Sequence, residues 1–220
     1  MDKKNIKPRD ILQIIQTLIL VLLLAEVTLL LRDSWHSKKM NDRKLSEPKK
    51  ISVNMKDLTR DAYFMGTQDA PATLVLFNSF SCGFCARARE TVMKLAAEFP
   101  NDLRITYKHF NRGPQDDLAS QAAECAGEQG KFWGMYNAIL DRGIRGDPRA
   151  CARDLGLNMT QFDACISSDR YRAKIGKDRA DGMRLGVRGT PSFILNDKLI
   201  KGNRPYETFE QMIKSELKHR

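Results

Sequence analysis

The stretch Ala72-Thr73-Leu74-Val75-Leu76-Phe77-Asn78-Ser79-Phe80-Ser81-Cys82-Gly83-Phe84-Cys85 decides how the rest of this chain is read. Ala72 to Phe77 is a continuous apolar run of strand length and reads as a buried strand. Ser79-Phe80-Ser81 turns the chain. From Gly83 to about Phe99 the pattern is helical, with apolar residues at Val92, Met93, Leu95, Ala96 and Phe99. Cys82 then stands at a helix N-terminus, where unpaired N–H groups and the helix dipole favour a thiolate. Such a setting lowers a cysteine pKa from about 8.5 to roughly 3.5–7.5. Cys85, one turn on, is near enough to close a disulfide with it. A dithiol placed this way can exchange disulfides with another molecule.

A lone C-x-x-C also serves as half of a zinc site, which needs two more ligands. No second C-x-x-C exists, and His36, His109 and His219 are scattered singly. The strand-then-helix context favours redox chemistry over metal, and no cofactor or metal is called for.

Working outward, the chain has 220 residues, 42% hydrophobic and 29% charged, which fits one domain with appendages. Of the net charge of +10, residues 1–55 carry +5 and the other 165 residues the same amount. No basic run is interleaved with aromatics, so nucleic-acid binding is not expected. The N-terminal charge fits a membrane surface better.

Ile11 to Leu31 is a hydrophobic segment of 21 residues, and about 20 residues span a bilayer as a helix. Lys3, Lys4, Lys7 and Arg9 precede it, a pattern shared by signal peptides and signal anchors. No small-x-small cleavage site follows, since Arg32-Asp33-Ser34-Trp35 comes directly after. That favours an uncleaved anchor. Glu26 is costly in lipid unless it lies near an interface or meets a partner, and Trp35 suits the interface. The expected plan is a cytoplasmic tail over 1–10, a transmembrane anchor over 11–31, a charged linker over 32–56 with little fixed structure, and a globular body over 57–220. Basic residues number four in 1–10 and seven in 32–50. By charge alone, the C-terminal side would be cytoplasmic.

In the body, Leu103 to Tyr107 is a second strand. The region from about 115 to 186 reads as almost wholly helical, with helices over Leu118–Glu128, Phe132–Leu140, Pro148–Leu155, Met159–Ile166 and a further one to Leu185. Ser192–Leu195 and Lys198–Ile200 form a hairpin about Asn196-Asp197, and Tyr206–Leu217 is a closing amphipathic helix.

Five pieces now stand in order: Gly66-x-x-Asp69-Ala70-Pro71, the first strand, Cys82-Gly83-Phe84-Cys85, Glu128-Gln129-Gly130-Lys131-Phe132-Trp133, and Gly186-Val187-Arg188-Gly189-Thr190-Pro191. Residues 57–218 thereby resemble the DsbA-like thiol-disulfide oxidoreductases, an α/β thioredoxin-like fold with an inserted α-helical domain. The resemblance implies an extracytoplasmic redox site, with Cys82 the exposed nucleophile and Cys85 its buried partner. It implies a cis bond at Thr190-Pro191 facing the cysteines, with Thr190 and Pro191 binding an extended substrate strand. Read alone, Pro191 would be an ordinary proline starting a strand. The resemblance also implies a second disulfide, Cys125–Cys165, leaving Cys151 as a small buried hydrophobe. The residues themselves leave Cys151 free to pair with either one. A second disulfide fits an oxidising compartment, which sets the body in the periplasm, against the charge count.

Three departures from the family stand out. Its buried glutamate six residues before the nucleophile is Leu76 here. Lys108, at the end of the second strand, matches a family lysine that approaches the site, but read alone it is a surface lysine. The active-site dipeptide is Gly83-Phe84, so no imidazole assists the thiolate; this dipeptide and Thr190 are similar to disulfide isomerases of the DsbC kind. The expected activity is exchange with protein thiols and disulfides, most simply oxidation, supported by a membrane redox partner at the inner membrane. The partner would be an oxidase, or a reductase if the enzyme works as an isomerase or reductase. A tethered chaperone without turnover is the alternative of a different class.

Overall fold

The computed structural model describes the backbone of residues 8–46 and 48–218, with side chains described for 16–35 and 48–218. The chain divides into two compact units, residues 1–47 and 48–220.

The first unit contains one helix, α1 (Pro8–Ser46). Pro8 opens it, where a missing N–H costs nothing, and no Gly or Pro interrupts the sequence until Pro48. The helix passes the predicted end of the span at Leu31 and continues through the first half of the segment expected to lack fixed structure. After Pro8 the sequence holds no helix-breaking Gly or Pro through Glu47 to stop it at Leu31. Beyond it, Lys49–Lys50 and the first residues of Met55–Thr59 are also regular elements, described below. Leu18 through Leu31 on α1 are exposed wherever they are large and apolar. Among the described residues, no helix is long and apolar enough to cross a membrane. The side chains of 11–15, the first part of the predicted span, and the predicted tail over 1–7 lie outside the described residues.

The second unit is built on one six-stranded sheet: β1 (Lys49–Lys50), β2 (Phe64–Met65), β3 (Ala72–Asn78), β4 (Leu103–His109), β5 (Ser192–Leu195) and β6 (Lys198–Lys201). The order is β1-β6-β5-β3-β4-β2. β3 and β4 run parallel, so their connection must cross over, and α3 (Gly83–Glu98) does so. β5 pairs antiparallel with β3 and turns directly into β6. Two features escaped the sequence pattern because they are two residues long: β1, which pairs with β6, and β2, which pairs with β4. The short helix α2 (Met55–Thr59) lies between them, started by Asn54, whose side chain accepts from Asp57 N–H.

β3 is buried on both faces, which explains its unbroken apolar run. Leu74 and Leu76 point to the larger core, with α3, the helical insert and the closing helix α9 (Tyr206–Lys218). Val75 and Phe77 point to a smaller core with Phe110, Leu185, Val187 and Ile194. The insert comprises α4 (Pro114–Gly127), α5 (Phe132–Arg142), α6 (Pro148–Asp154), α7 (Met159–Ser167) and α8 (Arg172–Arg184). Gly66, in the first quoted motif, has φ +83, and a Cβ there would sit 2.0 Å from the Leu103 carbonyl oxygen. Only glycine fits.

Candidate active site

The end of β3 delivers the chain into Ser79-Phe80-Ser81 and then into α3, whose N-cap residue is Cys82, in extended conformation. Cys85 N–H and Ala86 N–H both bond to the Cys82 carbonyl, closing the first turn. Cys82 and Cys85 are both free thiols, and Gly83 and Phe84 between them are exposed. From the other side comes the loop after α8. Its Thr190-Pro191 bond is cis, and the Thr190 carbonyl oxygen lies 3.2 Å from Cys82 Sγ. The loop covers the sulfur: Cys82 is 4% exposed and Cys85 fully buried. This corrects the expectation of an exposed nucleophile. Phe84, at 62% exposure, is what the site presents to solvent.

The two sulfurs differ sharply in acidity. The Cys82 thiol is drawn down to about 5. The main cause is a hydrogen bond from Cys85. Burial opposes it, and the Thr190 side chain and the N–H groups of Cys85 and Phe84 add to it. Burial pushes the Cys85 thiol far above the ordinary thiol range, and donation to Cys82 raises it further. One sulfur is therefore a thiolate at neutral pH and the other a thiol.

Asp116 was missed by the sequence reading. It lies on the first turn of α4 and is 1% exposed. It accepts from Ser81 N–H, Ser81 Oγ and Ser79 Oγ, each at 2.8 Å, and from Arg112 N–H at 2.9 Å. One carboxylate thus ties the turn before Cys82 to the start of the insert. The only local signal is an acid in the first turn after Gly113-Pro114, which reads as an ordinary helix start.

Leu76, where the family has a glutamate, pairs with Tyr107 on β4 and faces the larger core. Tyr107 and Tyr136 lie within electrostatic reach of Cys85, and burial raises both phenols. Lys108 points to neither place expected of it. It is 4% exposed and bonded to Asp178 of α8 at 2.6 Å. Asp178 also accepts from His109 N–H, and His109 Nε2 meets Glu124 Oε1 at 2.9 Å. Lys108 is paired across from Phe77, whose side chain belongs to the smaller core, so it lies on the sheet face away from Tyr107. These buried pairs fasten β4 to α4 and α8. Cys125 and Cys165 are joined in a disulfide between α4 and α7, Cα atoms 5.7 Å apart, and Cys151 is a buried free thiol.

Residues 59–215 match the thioredoxin family. A thioredoxin-like oxidoreductase from Silicibacter pomeroyi DSS-3 is 28% identical, with a TM-score of 0.68 over 76% of this chain and 99% of that one. The fold is shared at 20% identity with the thiol-disulfide exchange protein alpha-DsbA2 from Wolbachia pipientis, TM-score 0.66 over 73% of this chain and 90% of that one. It is shared at 19% with BdbD from Bacillus subtilis, TM-score 0.65 over 79% and 98%. Among curated proteins, the Na(+)/H(+) antiporter NhaA of Herminiimonas arsenicoxydans is 28% identical over 156 residues, 70% of this chain and 25% of the antiporter. The chain spans about a quarter of the length of such relatives. The chain belongs to the thioredoxin family.

Proposed function

We propose that this chain is a tethered oxidant of protein thiols outside the cytoplasm, with Cys82 as the attacked sulfur. The observation that carries the reading is the Cys82 thiol held at about 5. A stabilised thiolate favours the reduced pair and so makes the disulfide form oxidising. A substrate thiolate attacks Cys82 Sγ of the Cys82–Cys85 disulfide. That bond breaks, Cys85 leaves with the electron pair and takes up a proton, and a substrate–Cys82 disulfide forms. A second substrate thiolate then attacks the substrate sulfur, closing the substrate disulfide and expelling Cys82 as a thiolate. Two electrons have passed to the dithiol, and a membrane oxidase removes them. Thr190 and Pro191 border an extended substrate strand, and Gly83 and Phe84 form its floor.

The tether is residues 11–31. Its support is the apolar sequence and the exposed leucines of α1, a surface that needs lipid or protein cover. The Cys125–Cys165 disulfide is non-catalytic in this reading and supports an oxidising compartment, hence the periplasmic side of the inner membrane.

Equilibrating the full-length chain with reduced and oxidised glutathione tests the direction. A potential nearer to about −120 mV than to about −270 mV, the values at the oxidising and reducing ends of the fold, is expected. A value near the reducing end would make the chain a reductase or isomerase, the reading that Gly83-Phe84 and Thr190 favour. Function that survives loss of both Cys82 and Cys85 would indicate a tethered chaperone instead.

A further inference from the structure

Two arginines stand near the turn and helix that carry Cys82: Arg112, just before α4, and Arg87, on α3. Arg112 has its backbone N–H fixed on Asp116, as does Ser81. Arg112 and Ser81, the residue before Cys82, line one open hollow of about 180 Å³ with Gly113, Pro114, Gln115 and Asp116. On the other flank, Arg87 lies one turn into α3, its guanidinium 4.3 Å from the centroid of the Phe84 ring. Arg89 of α3 is tied to Asp141, and Arg188, on the loop that covers Cys82, donates to the carbonyls of Met183 and Val187. Among the described residues, no ion pair involves Arg87 or Arg112. The carboxylate beside Arg112, Asp116, is buried and already accepts four hydrogen bonds. The first turn of α3 has no acidic residue.

We propose that the segment this face receives is acidic. Its cysteine lies over Cys82, an apolar residue rests on Phe84, one flanking carboxylate meets Arg87 and another enters the Arg112 hollow. The inference rests on the exchange reaction proposed above and names its substrate class. Arginine's planar fork suits a carboxylate. Unpaired cations at a rim speed the arrival of an anionic partner and set its register. Holding the Cys82 thiolate does not account for them. That task is met by Cys85, Thr190 and the N–H groups at the helix start.

The test uses the oxidised full-length chain and three single-cysteine peptides, alike except for glutamate, glutamine or lysine on both sides of the cysteine. Initial rates of mixed-disulfide formation are each divided by that peptide's rate with hydroxyethyl disulfide, which cancels intrinsic thiol reactivity. The expected order is glutamate, glutamine, lysine, with about a tenfold span at low salt. The span should shrink to within about twofold at 1 M salt, where the screening length is about 3 Å. In the Arg87→Gln/Arg112→Gln chain, the glutamate-to-lysine ratio should fall to within about twofold at low salt. Because it is a ratio, any change in Cys82 acidity cancels. Equal rates in the unaltered chain, or a ratio that persists in the double variant, would overturn the assignment. Exchange with none of the peptides would overturn the exchange reaction and this inference with it, a failure the glutathione equilibrium detects independently.

Discussion

Replacing Cys85 with alanine separates the two sources of Cys82 acidity. The substitution removes the S–H that donates to the Cys82 thiolate, the largest contribution to its low pKa. A hydrogen bond to a charged group contributes about 1.5–3 kcal/mol. At about 1.36 kcal/mol per pKa unit, its loss should raise Cys82 by about 1–2 units, from about 5 to about 6–7. The N–H groups at the start of α3 and Thr190 remain, so the value should stay below the free-cysteine value of about 8.5. Thiolate absorbance, or alkylation rate against pH, reads the titration. In the unaltered reduced chain Cys85 does not interfere, because burial holds its thiol far above the ordinary range. A value at or above about 8.5 in the variant would refute the role of the helix start. A value still at about 5 would refute the role of Cys85.

The same acidity makes stability depend on pH with a definite sign. Cys82 has a folded pKa near 5, below its unfolded value of about 8.5. Its contribution to the reduced chain is therefore complete above about 8.5, fades as pH falls, and is gone below about 5. At pH 7 it amounts to about 3 kcal/mol. The oxidised chain has no thiolate to stabilise, so the potential should rise by about 60 mV at pH 7 relative to a dithiol of ordinary acidity. Urea unfolding of the reduced chain at pH 5 and pH 8 should reveal the difference, and a flat profile would contradict it.

Three further outcomes are expected. Asp116→Ala leaves Ser81 N–H and Arg112 N–H without their acceptor, so unfolding free energy should drop by about 2–5 kcal/mol and exchange should slow; an unchanged urea midpoint would dismiss the clamp. Asp178→Leu strands a buried Lys108 cation and should cost about 3–5 kcal/mol, whereas the Lys108→Met/Asp178→Leu pair should recover most of it in thermal melts. Cys125→Ala/Cys165→Ala opens a loop of 40 residues and should destabilise by about 4 kcal/mol while leaving the exchange rate in place; loss of exchange in a folded variant would make the disulfide part of the chemistry.

The legible parts of this fold were the local ones. β3 and the start of α3 were readable because an apolar run, a turn and a helical period adjoin one another within fourteen residues. β5 matched its predicted bounds because Pro191 and the Asn196-Asp197 turn bracket it. β1 and β2 carry no period in two residues, and they exist because β6 and β4 offer open edges to pair with. The polar residues were the hardest to place. Asp116 serves a turn 35 positions away, and Asp178 a lysine 70 positions away. Sequence alone gives each a surface role, since acids are rarely buried without a partner and the partner is fixed only by the tertiary fold. Cys82 was mistaken for an exposed sulfur for the same reason. The cover comes from Thr190, 108 positions on.

The floor of the site bears on direction as well as rate. Where a carboxylate would lie, Leu76 pairs with Tyr107, and the protic groups near Cys85 are the phenols of Tyr107 and Tyr136. Burial raises both phenols, so neither accepts a proton from Cys85 at neutral pH. In the reduced pair Cys85 is the weaker nucleophile, because burial and its donation to the Cys82 thiolate keep it protonated. A mixed disulfide on Cys82 has two exits. Attack by Cys85 returns an oxidised enzyme and a reduced substrate. Attack by a second substrate thiol expels Cys82, whose stabilised thiolate is a good leaving group. In the oxidation proposed above, that leaving group favours the exit toward the substrate disulfide.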